Sequence, residues 1–404
     1  MSIPLKKILK RRWAWGSMIL WRAAAAVLSP FFRIRRNKVV FSTFDGKGFG
    51  DNSKYIALEL IRRNSQLELV WLMKKEEQSD LPPEIRRVDN SWFSELYHLM
   101  TAGVWVDTHF KRHIFKKGLF KRRGQLYLQT WHGSLGIKNI PTVEELAPSL
   151  YYPMLADIRS VDHLISNSIY EDIKFRECFS TDKIQPGILK LGHPRNDIFF
   201  QDNSLLSCKI KQQYGLTEDC RIFTYMPTFR KKRDLAAYTL DFERVLEALS
   251  RRFGGKWVIF MRLHPALAGK AADAFRGIAG VVDVSSHPDS QELQIVSDIL
   301  CTDYSSCIYD FILSRRAGFI FASDLQDYNT VRGLRYPLTE TPFMIAENND
   351  ALVENILAFD DGVYQKNLDK FLEFHGCVDD GKASARVGDV IEEFVFGKRQ
   401  GRTV

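Results

Sequence analysis

Two doubly wound α/β domains facing a cleft, preceded by a basic amphipathic amino-terminal segment, form the architecture this sequence predicts. Three observations carry that expectation. The chain has 404 residues, too many for one ordinary core and suited to two domains of roughly 150–200 residues each. Short apolar runs alternate with helical segments along its whole length, the pattern of parallel sheets crossed by helices. The formal charge of +8 is confined to one end: Met1 to Lys38 holds ten Lys and Arg and no acid, leaving 47 basic and 49 acidic residues beyond it.

The first element, residues 1–37, carries that charge. An apolar stretch from Trp13 to Phe32 is interrupted only by Arg22, contains Trp13, Trp15, Trp21, Phe31 and Phe32, and ends at Ser29-Pro30. It just reaches the length of a spanning helix. A charge near its centre and tryptophans at its flanks suit a helix lying in the headgroup region of an anionic membrane better. A spanning or signal segment and an ordinary packing helix are the alternatives. A second acid-free run, Lys111–Arg123, adds seven cations in the same half. No nucleic-acid-reading motif accompanies either run, so nucleic acid is not an expected partner.

The first domain, 38–205, is expected to hold strands at Lys38–Thr43, Leu67–Met73, Val104–Thr108, Gln125–Thr130, His163–Ser166 and near Ile188–Leu191. Helices are expected at Asn52–Arg63 and Ser168–Phe179. After a polar stretch at Gln201–Cys220, the second domain, 206–404, repeats the alternation. Its strands fall at Arg221–Met226, Trp257–Met261, Val281–Val284, Asp298–Cys301 and Gly318–Phe321. Its helices fall at Leu240–Arg252, Gln291–Ser297, Ser306–Ser314 and Ala383–Phe396. The six cysteines form no CxxC pair, so they read as free thiols of a reducing compartment, with neither a disulfide framework nor a zinc site.

Ligands of doubly wound folds sit at the carboxyl ends of strands, and five motifs stand at strand ends here. SDILCTDYSSCIYD, Ser297–Asp310, places Thr302, Asp303, Ser305 and Ser306 in a turn into a helix, where free amides and the helix dipole favour phosphate. Asp303 would repel a bare phosphate and suits a cap or a ribose hydroxyl. MRLHP, Met261–Pro265, offers Arg262 and His264, the histidine able to donate to a phosphate or protonate a leaving group. TWHGS, Thr130–Ser134, places His132 as a base, with Gly133 allowing close approach and Lys138 to meet an anion. GHPRND, Gly192–Asp197, and YMPTFRKKR, Tyr225–Arg233, supply Arg195 and Arg230, each able to grip phosphate with two N–H groups. Each motif alone is equally a capped helix, a structural histidine or a surface loop. DGKGFGDN, Asp45–Asn52, is neither a Walker loop nor a dinucleotide fingerprint.

As an ordered set, FSTFDGKGFGDNSKYI, QTWHGSLGIK, GHPRNDIF, YMPTFR, MRLHP, SDILCTDYSSCIYDF and DLQDYNTVRGLRYP resemble the CDP-glycerol glycerophosphotransferase family, which builds teichoic acids and related capsular polymers. The resemblance spans about Val39 to Phe343. It departs at Ser134-Leu135, where the family often has Thr-Pro, and at Cys301 and Cys307, where it has small or aliphatic residues. It implies a GT-B arrangement of two Rossmann-like domains and peripheral attachment to the cytoplasmic face of the membrane. It also implies transfer of glycerol phosphate from CDP-glycerol to a hydroxyl of a lipid-linked acceptor, with release of CMP. By resemblance His132 and His264 are the catalytic candidates. Arg230, Thr302, Ser305 and Ser306 line the donor phosphates, Asp303 lies close by, and Arg262 joins this donor side. Gly133, Lys138 and Arg195 belong to the acceptor or phosphate side. No carboxylate cluster suggests a metal, and no cofactor is expected. The rival readings are a CDP-ribitol enzyme, a GT-B glycosyltransferase using a sugar nucleotide, and a silent polyanion- or membrane-binding module.

Overall fold

A computed structural model describes residues 19–110, 117–146, 148–180, 185–228, 230, 239–263, 275, 277–331 and 333–397. The first sheet contains β1 (Arg35–Ser42), β2 (Glu68–Met73), β3 (Ile85–Asp89), β4 (Ala102–Asp107), β5 (Leu126–Gln129), β6 (His163–Ser166) and β7 (Gly187–Lys190). They lie in the order β3-β2-β1-β4-β5-β6-β7, every neighbouring pair parallel. The second contains β8 (Arg221–Tyr225), β9 (Trp257–Met261), β10 (Val281–Asp283), β11 (Ile299–Thr302), β12 (Gly318–Phe321) and β13 (Met344–Ala346). Its order is β10-β9-β8-β11-β12-β13, again all parallel. Strand order therefore reverses between β1 and β4 in one sheet and between β8 and β11 in the other. Those reversals open the crevices in which such folds take ligands.

The strands read as apolar runs because helices cover both faces of each sheet. Val39 and Phe41 of β1 enter one core with Trp71 and Ile56, while Val40 between them enters the other with Val70 and Trp105, the alternation a pleat imposes. Two strands escaped the sequence reading. β3 is an edge strand whose Arg86 and Arg87 are exposed, a protection against edge pairing that erases the apolar signal. β13 has only three residues. The polar stretch at Gln201–Cys220 contains a helix, Ser204–Gln213, that buries only Ile210.

The chain crosses between the domains in two further places. Helix α1 (Asp51–Arg62) comes after β1, and the last helix, Ala383–Phe396, returns to lie against it. Val387, Ile391 and Val395 of that last helix complete the core under the first sheet with Ile56 and Leu60. The Asp197 carboxylate accepts from the amides of Ala383 and Ser384 at 2.9 and 2.7 Å, capping the helix from the first domain. Arg63 reaches Asp389, Glu392 and the Ala385 carbonyl. A boundary at 206 thus separates this helix from the sheet on which it packs. The second crossing is the loop after β5. Leu135 and Ile137 are buried in the core of the second domain, Tyr336 donates to the Leu135 carbonyl at 2.6 Å, and Lys138 pairs antiparallel with Leu334.

Residues 19–28 are helical. Ala25 is fully buried and Trp21 meets Trp92 at 4.5 Å between ring centroids, so one face packs on α2 (Trp92–Thr101). Leu20, Val27 and the nearby Phe31 remain exposed. Among the described residues no helix is long and apolar enough to cross a membrane. Lys38, counted with the basic arm on sequence, is buried. Its ammonium donates to Thr101 at 2.8 Å, and burial pushes its pKa down to about 7.

Leu135 joins the loop after β5 to the second core, so Leu135→Ala leaves a cavity there. We expect a loss of about 2–5 kcal/mol, read as a lower urea midpoint of the second domain's unfolding transition.

Candidate active site between the two strand-order reversals

At the β1/β4 reversal, the chain leaves β5 and turns sharply through Trp131 to His132. The half-buried His132 ring places Nδ1 2.9 Å from the carbonyl oxygen of Thr108. A carbonyl only accepts, so Nδ1 carries the proton and Nε2 keeps its lone pair. Burial and the His109 ring, stacked on it at 5.1 Å and 15°, push the His132 pKa down to about 3. Phe44 meets the same ring edge-on at 5.5 Å. A neutral imidazole with a bare Nε2 is the protonation state that a base requires.

The backbone around this ring is strained. Six described non-glycine residues have a positive φ, and Phe44, Asp45, Asp51 and Trp131 are four of them. All four lie in the turn after β1, at the start of α1, or beside His132. Such conformations cost on the order of 1–3 kcal/mol each and persist only where their surroundings impose them.

Across the interface, β11 ends at the turn Asp303–Ser306 before the short helix α3 (Cys307–Phe311). Thr302 is buried and donates to the Met226 carbonyl at 2.5 Å. The Asp303 carboxylate accepts from the Thr228 amide at 2.8 and 3.0 Å and from the Arg230 guanidinium at 2.8 Å. Arg230 also donates to Asp324 at 2.7 and 2.9 Å and to the Thr228 carbonyl. Its guanidinium lies 5.3 and 5.5 Å from the ring centroids of Tyr304 and Tyr328. Thr302, Asp303 and Arg230 therefore build the frame that links the ends of β8 and β11. Ser305 and Ser306 are half-buried at the mouth of this turn, beside the amides that a helix start leaves without intrahelical acceptors. Arg262, at the end of β9, donates to the His287 carbonyl at 2.8 Å, and burial lowers its pKa.

The two halves touch. A Cβ added to Gly136 would lie 2.9 Å from Ser306 Cβ, and one added to Gly133 would lie 2.6 Å from Trp131 Nε1. The charge of Lys138 acts on both His132 and Cys307, and its backbone pairs with Leu334 of the second domain. Arg195, expected from sequence to hold phosphate, is buried instead among its own partners. It donates to Asp310 at 2.9 and 3.2 Å, to Asp51 at 3.0 Å and to the Gly133 carbonyl at 2.6 Å. It is an interdomain clamp on the His132 loop, with most of its donors spent. His264 lies outside the described residues.

His109, Phe44 and Asn52 were not singled out on sequence. His109 stands two residues beyond β4, the strand at the reversal, and that position at a strand end is signal enough to mark it. Nothing in the local pattern of Phe44 or Asn52 marks them, because both reach the His132 loop only through the fold of the turn after β1.

Residues 24–393 match the family described as CDP-Glycerol:Poly(glycerophosphate) glycerophosphotransferase. The teichoic acid poly(glycerol phosphate) polymerase of Staphylococcus epidermidis is 27% identical over 383 residues, covering 89% of this chain and 51% of that protein. This chain thus spans about half the length of that relative. The teichoic acid glycerol-phosphate transferase of Staphylococcus aureus is 28% identical over 380 residues, covering 88% of this chain and 93% of that one. A teichoic acid ribitol-phosphate primase of Bacillus spizizenii is 26% identical over 387 residues, covering 92% and 95%. Among solved structures, the wall teichoic acid polymerase TagF superposes with a TM-score of 0.78 at 25% identity, covering 98% of this chain and 99% of that chain. The GT-B-like pair of Rossmann domains expected from the sequence is therefore the fold.

His132, at about 3, and the buried His98, at about 4, both bind a proton less readily folded than unfolded, where histidine titrates near 6.5. Between those values the unfolded chain holds more protons, so stability falls as pH drops from about 6.5 to 4. The thermal midpoint measured across that window is expected to decline, and less steeply in His98→Gln.

Proposed function

The chain belongs to the CDP-glycerol:poly(glycerophosphate) glycerophosphotransferase family, a group of teichoic acid polyol-phosphate transferases. We propose that it transfers glycerol phosphate from CDP-glycerol to a hydroxyl of a lipid-linked acceptor and releases CMP. The observation that carries this reading is the neutral His132, its Nε2 bare, in a loop whose Gly136 lies against Ser306 across the domain contact. The acceptor oxygen attacks the glycerol-bearing phosphorus while its proton passes to Nε2 of His132. The bond from that phosphorus to the bridging oxygen breaks, and the electron pair leaves on the CMP phosphate. Helix-start amides, the Ser305 and Ser306 hydroxyls, Lys138 and Arg262 meet the diphosphate charge. That charge also draws the His132 pKa upward when donor binds, which strengthens the base at the moment of use. His264 remains the second catalytic candidate. No cofactor or metal is part of this proposal: the positioning and charge stabilisation that phosphoryl transfer asks for are assigned to the amides and side chains above. A TagF structure soaked with CDPG and the glycerol-phosphate relatives support the donor class. A ribitol-phosphate primase among the relatives favours CDP-ribitol as the second reading.

Membrane attachment at the cytoplasmic face is part of the proposal. Leu20 and Phe31 of the amino-terminal segment, and Phe93 and Tyr97 of α2, are exposed on elements that pack against one another. Nine cations in the first 37 residues add attraction to anionic lipid.

CMP release from CDP-glycerol, compared with CDP-ribitol on the same lipid-linked acceptor, tests the donor; faster release from CDP-ribitol overturns glycerol. His132→Gln should lower turnover by about 10²–10⁴-fold with donor binding retained. Flotation with phosphatidylglycerol vesicles tests attachment, and Phe31→Ser with Phe93→Ser should weaken it by roughly tenfold or more, the burial of two large apolar side chains being at stake.

A further inference from the structure

Asn52, the second residue of α1, is fully buried, and both polar atoms of its side chain are engaged. The Arg195 amide donates to its Oδ1 at 3.1 Å. Its Nδ2 faces the carbonyl oxygens of Thr130 and Trp131 at 3.1 and 3.2 Å and the Nδ1 atom of His193 at 3.3 Å. The amide orientation is not free. A backbone N–H can only donate and a carbonyl can only accept, so oxygen faces Arg195 and nitrogen faces the loop. With two hydrogens for three acceptors, Nδ2 gives one to His193 Nδ1 and shares the other between the two adjacent carbonyls. That leaves the His193 proton on Nε2, 2.7 Å from the buried Glu171 carboxylate. Burial alone would raise the Glu171 pKa, yet His193 and Lys174 pull it below the ordinary value, so the carboxylate stays charged and keeps that proton in place.

The two carbonyls that Asn52 holds belong to the residues just before His132. Trp131 is the non-glycine residue whose φ of +57° reverses the chain there. We propose that Asn52, oriented by His193 and Glu171, is the positioning residue that holds the Trp131 turn in its left-handed form and so aims His132 Nε2 at the reacting hydroxyl. This rests on the proposed role of His132 as the base. Without the amide, the turn relaxes toward an ordinary φ, the His132 ring swings from the Thr108 carbonyl, and the proton acceptor leaves the line of attack. The donor side of the site, built on β8 and β11, does not depend on it.

Asn52→Asp tests this with little change of shape, because Oδ1 still accepts from Arg195 while the second oxygen now faces the two carbonyls. In the full chain, turnover should fall by roughly 100-fold, the scale of a misplacement near 1 Å, with KM for CDP-glycerol within about threefold of wild type. Glycine adopts the left-handed form freely, so in a Trp131→Gly background the further loss from Asn52→Asp should shrink. Turnover of Asn52→Asp near the wild-type value overturns the proposal. So does loss of donor binding and thermal transition together with turnover, which makes Asn52 part of the scaffold only, and so do strictly additive losses in the double variant. A wild-type chain that releases no CMP from either CDP-alcohol removes the proposed function instead, and the two failures are told apart by that control.

Discussion

The buried guanidinium of Arg195 is the interaction on which the site depends. It joins Asp51 at the start of α1, Asp310 in the second domain and the Gly133 carbonyl in the His132 loop. One cation beside two carboxylates leaves an excess of negative charge in a region with little water. Burial raises the Asp51 pKa even against the pull of Arg195, which is how such an excess is relieved. The amide of Asn52 donates to the Asp51 carboxylate at 2.6 Å, and the amino end of α1 adds its dipole. Removing the cation would leave two buried carboxylates facing each other across the domain boundary. That is far more destructive than the pair is stabilising.

This constraint explains why the domains meet at a fixed place. A two-domain fold with only a linker between its halves would bring its two strand-order reversals together by chance. Here the loop after β5 sends Leu135 and Ile137 into the second core, and the last helix returns Val387, Ile391 and Val395 to the first. Arg195 locks the point between these crossings. Lys54 adds a further tie to Asp289 and Glu292 at 2.6 and 2.7 Å. The His132 loop is consequently built from both domains, although its residues are contiguous in sequence.

The architecture was legible because parallel strands covered on both faces leave unbroken apolar runs, as Val39–Phe41 and Ile299–Cys301 do. The expected strands over 38–43, 104–108, 221–226 and 257–261 fall on β1, β4, β8 and β9 within a few residues. β3 and the helix at Ser204–Gln213 were illegible for one reason: each buries a single side chain, so periodicity has nothing to register. The site was legible at its strand ends, where TWHGS and CTDYSS stand. What each cation does was not. Arg195 and Arg230 look alike on sequence, positive residues in turns after strands, and both read there as phosphate ligands. Whether such a residue meets substrate or a carboxylate depends on Asp310 and Asp324, more than 90 residues away in the chain. No local pattern reports that distance in space.

The same pairing reshapes the electrostatics of the donor side. Arg230 is bound to two carboxylates, so the frame at the ends of β8 and β11 carries little net positive charge of its own. A diphosphate seated there would be met chiefly by dipoles: amides at the start of α3 and the hydroxyls of Ser305 and Ser306. Fixed dipoles need no reorganisation as charge moves toward a leaving group, whereas a long flexible cation must track it. Lys138 stands in the His132 loop, where its charge is felt by His132 as well as by Cys307. Burial and the His109 ring keep His132 neutral, and the cation of Lys138 adds to the same effect. An anion bound across the contact would act on His132 in the opposite sense and raise its proton affinity. A negative charge held on the opposite domain would thus be felt at His132, through a contact narrow enough that a single methyl group at Gly136 would meet Ser306.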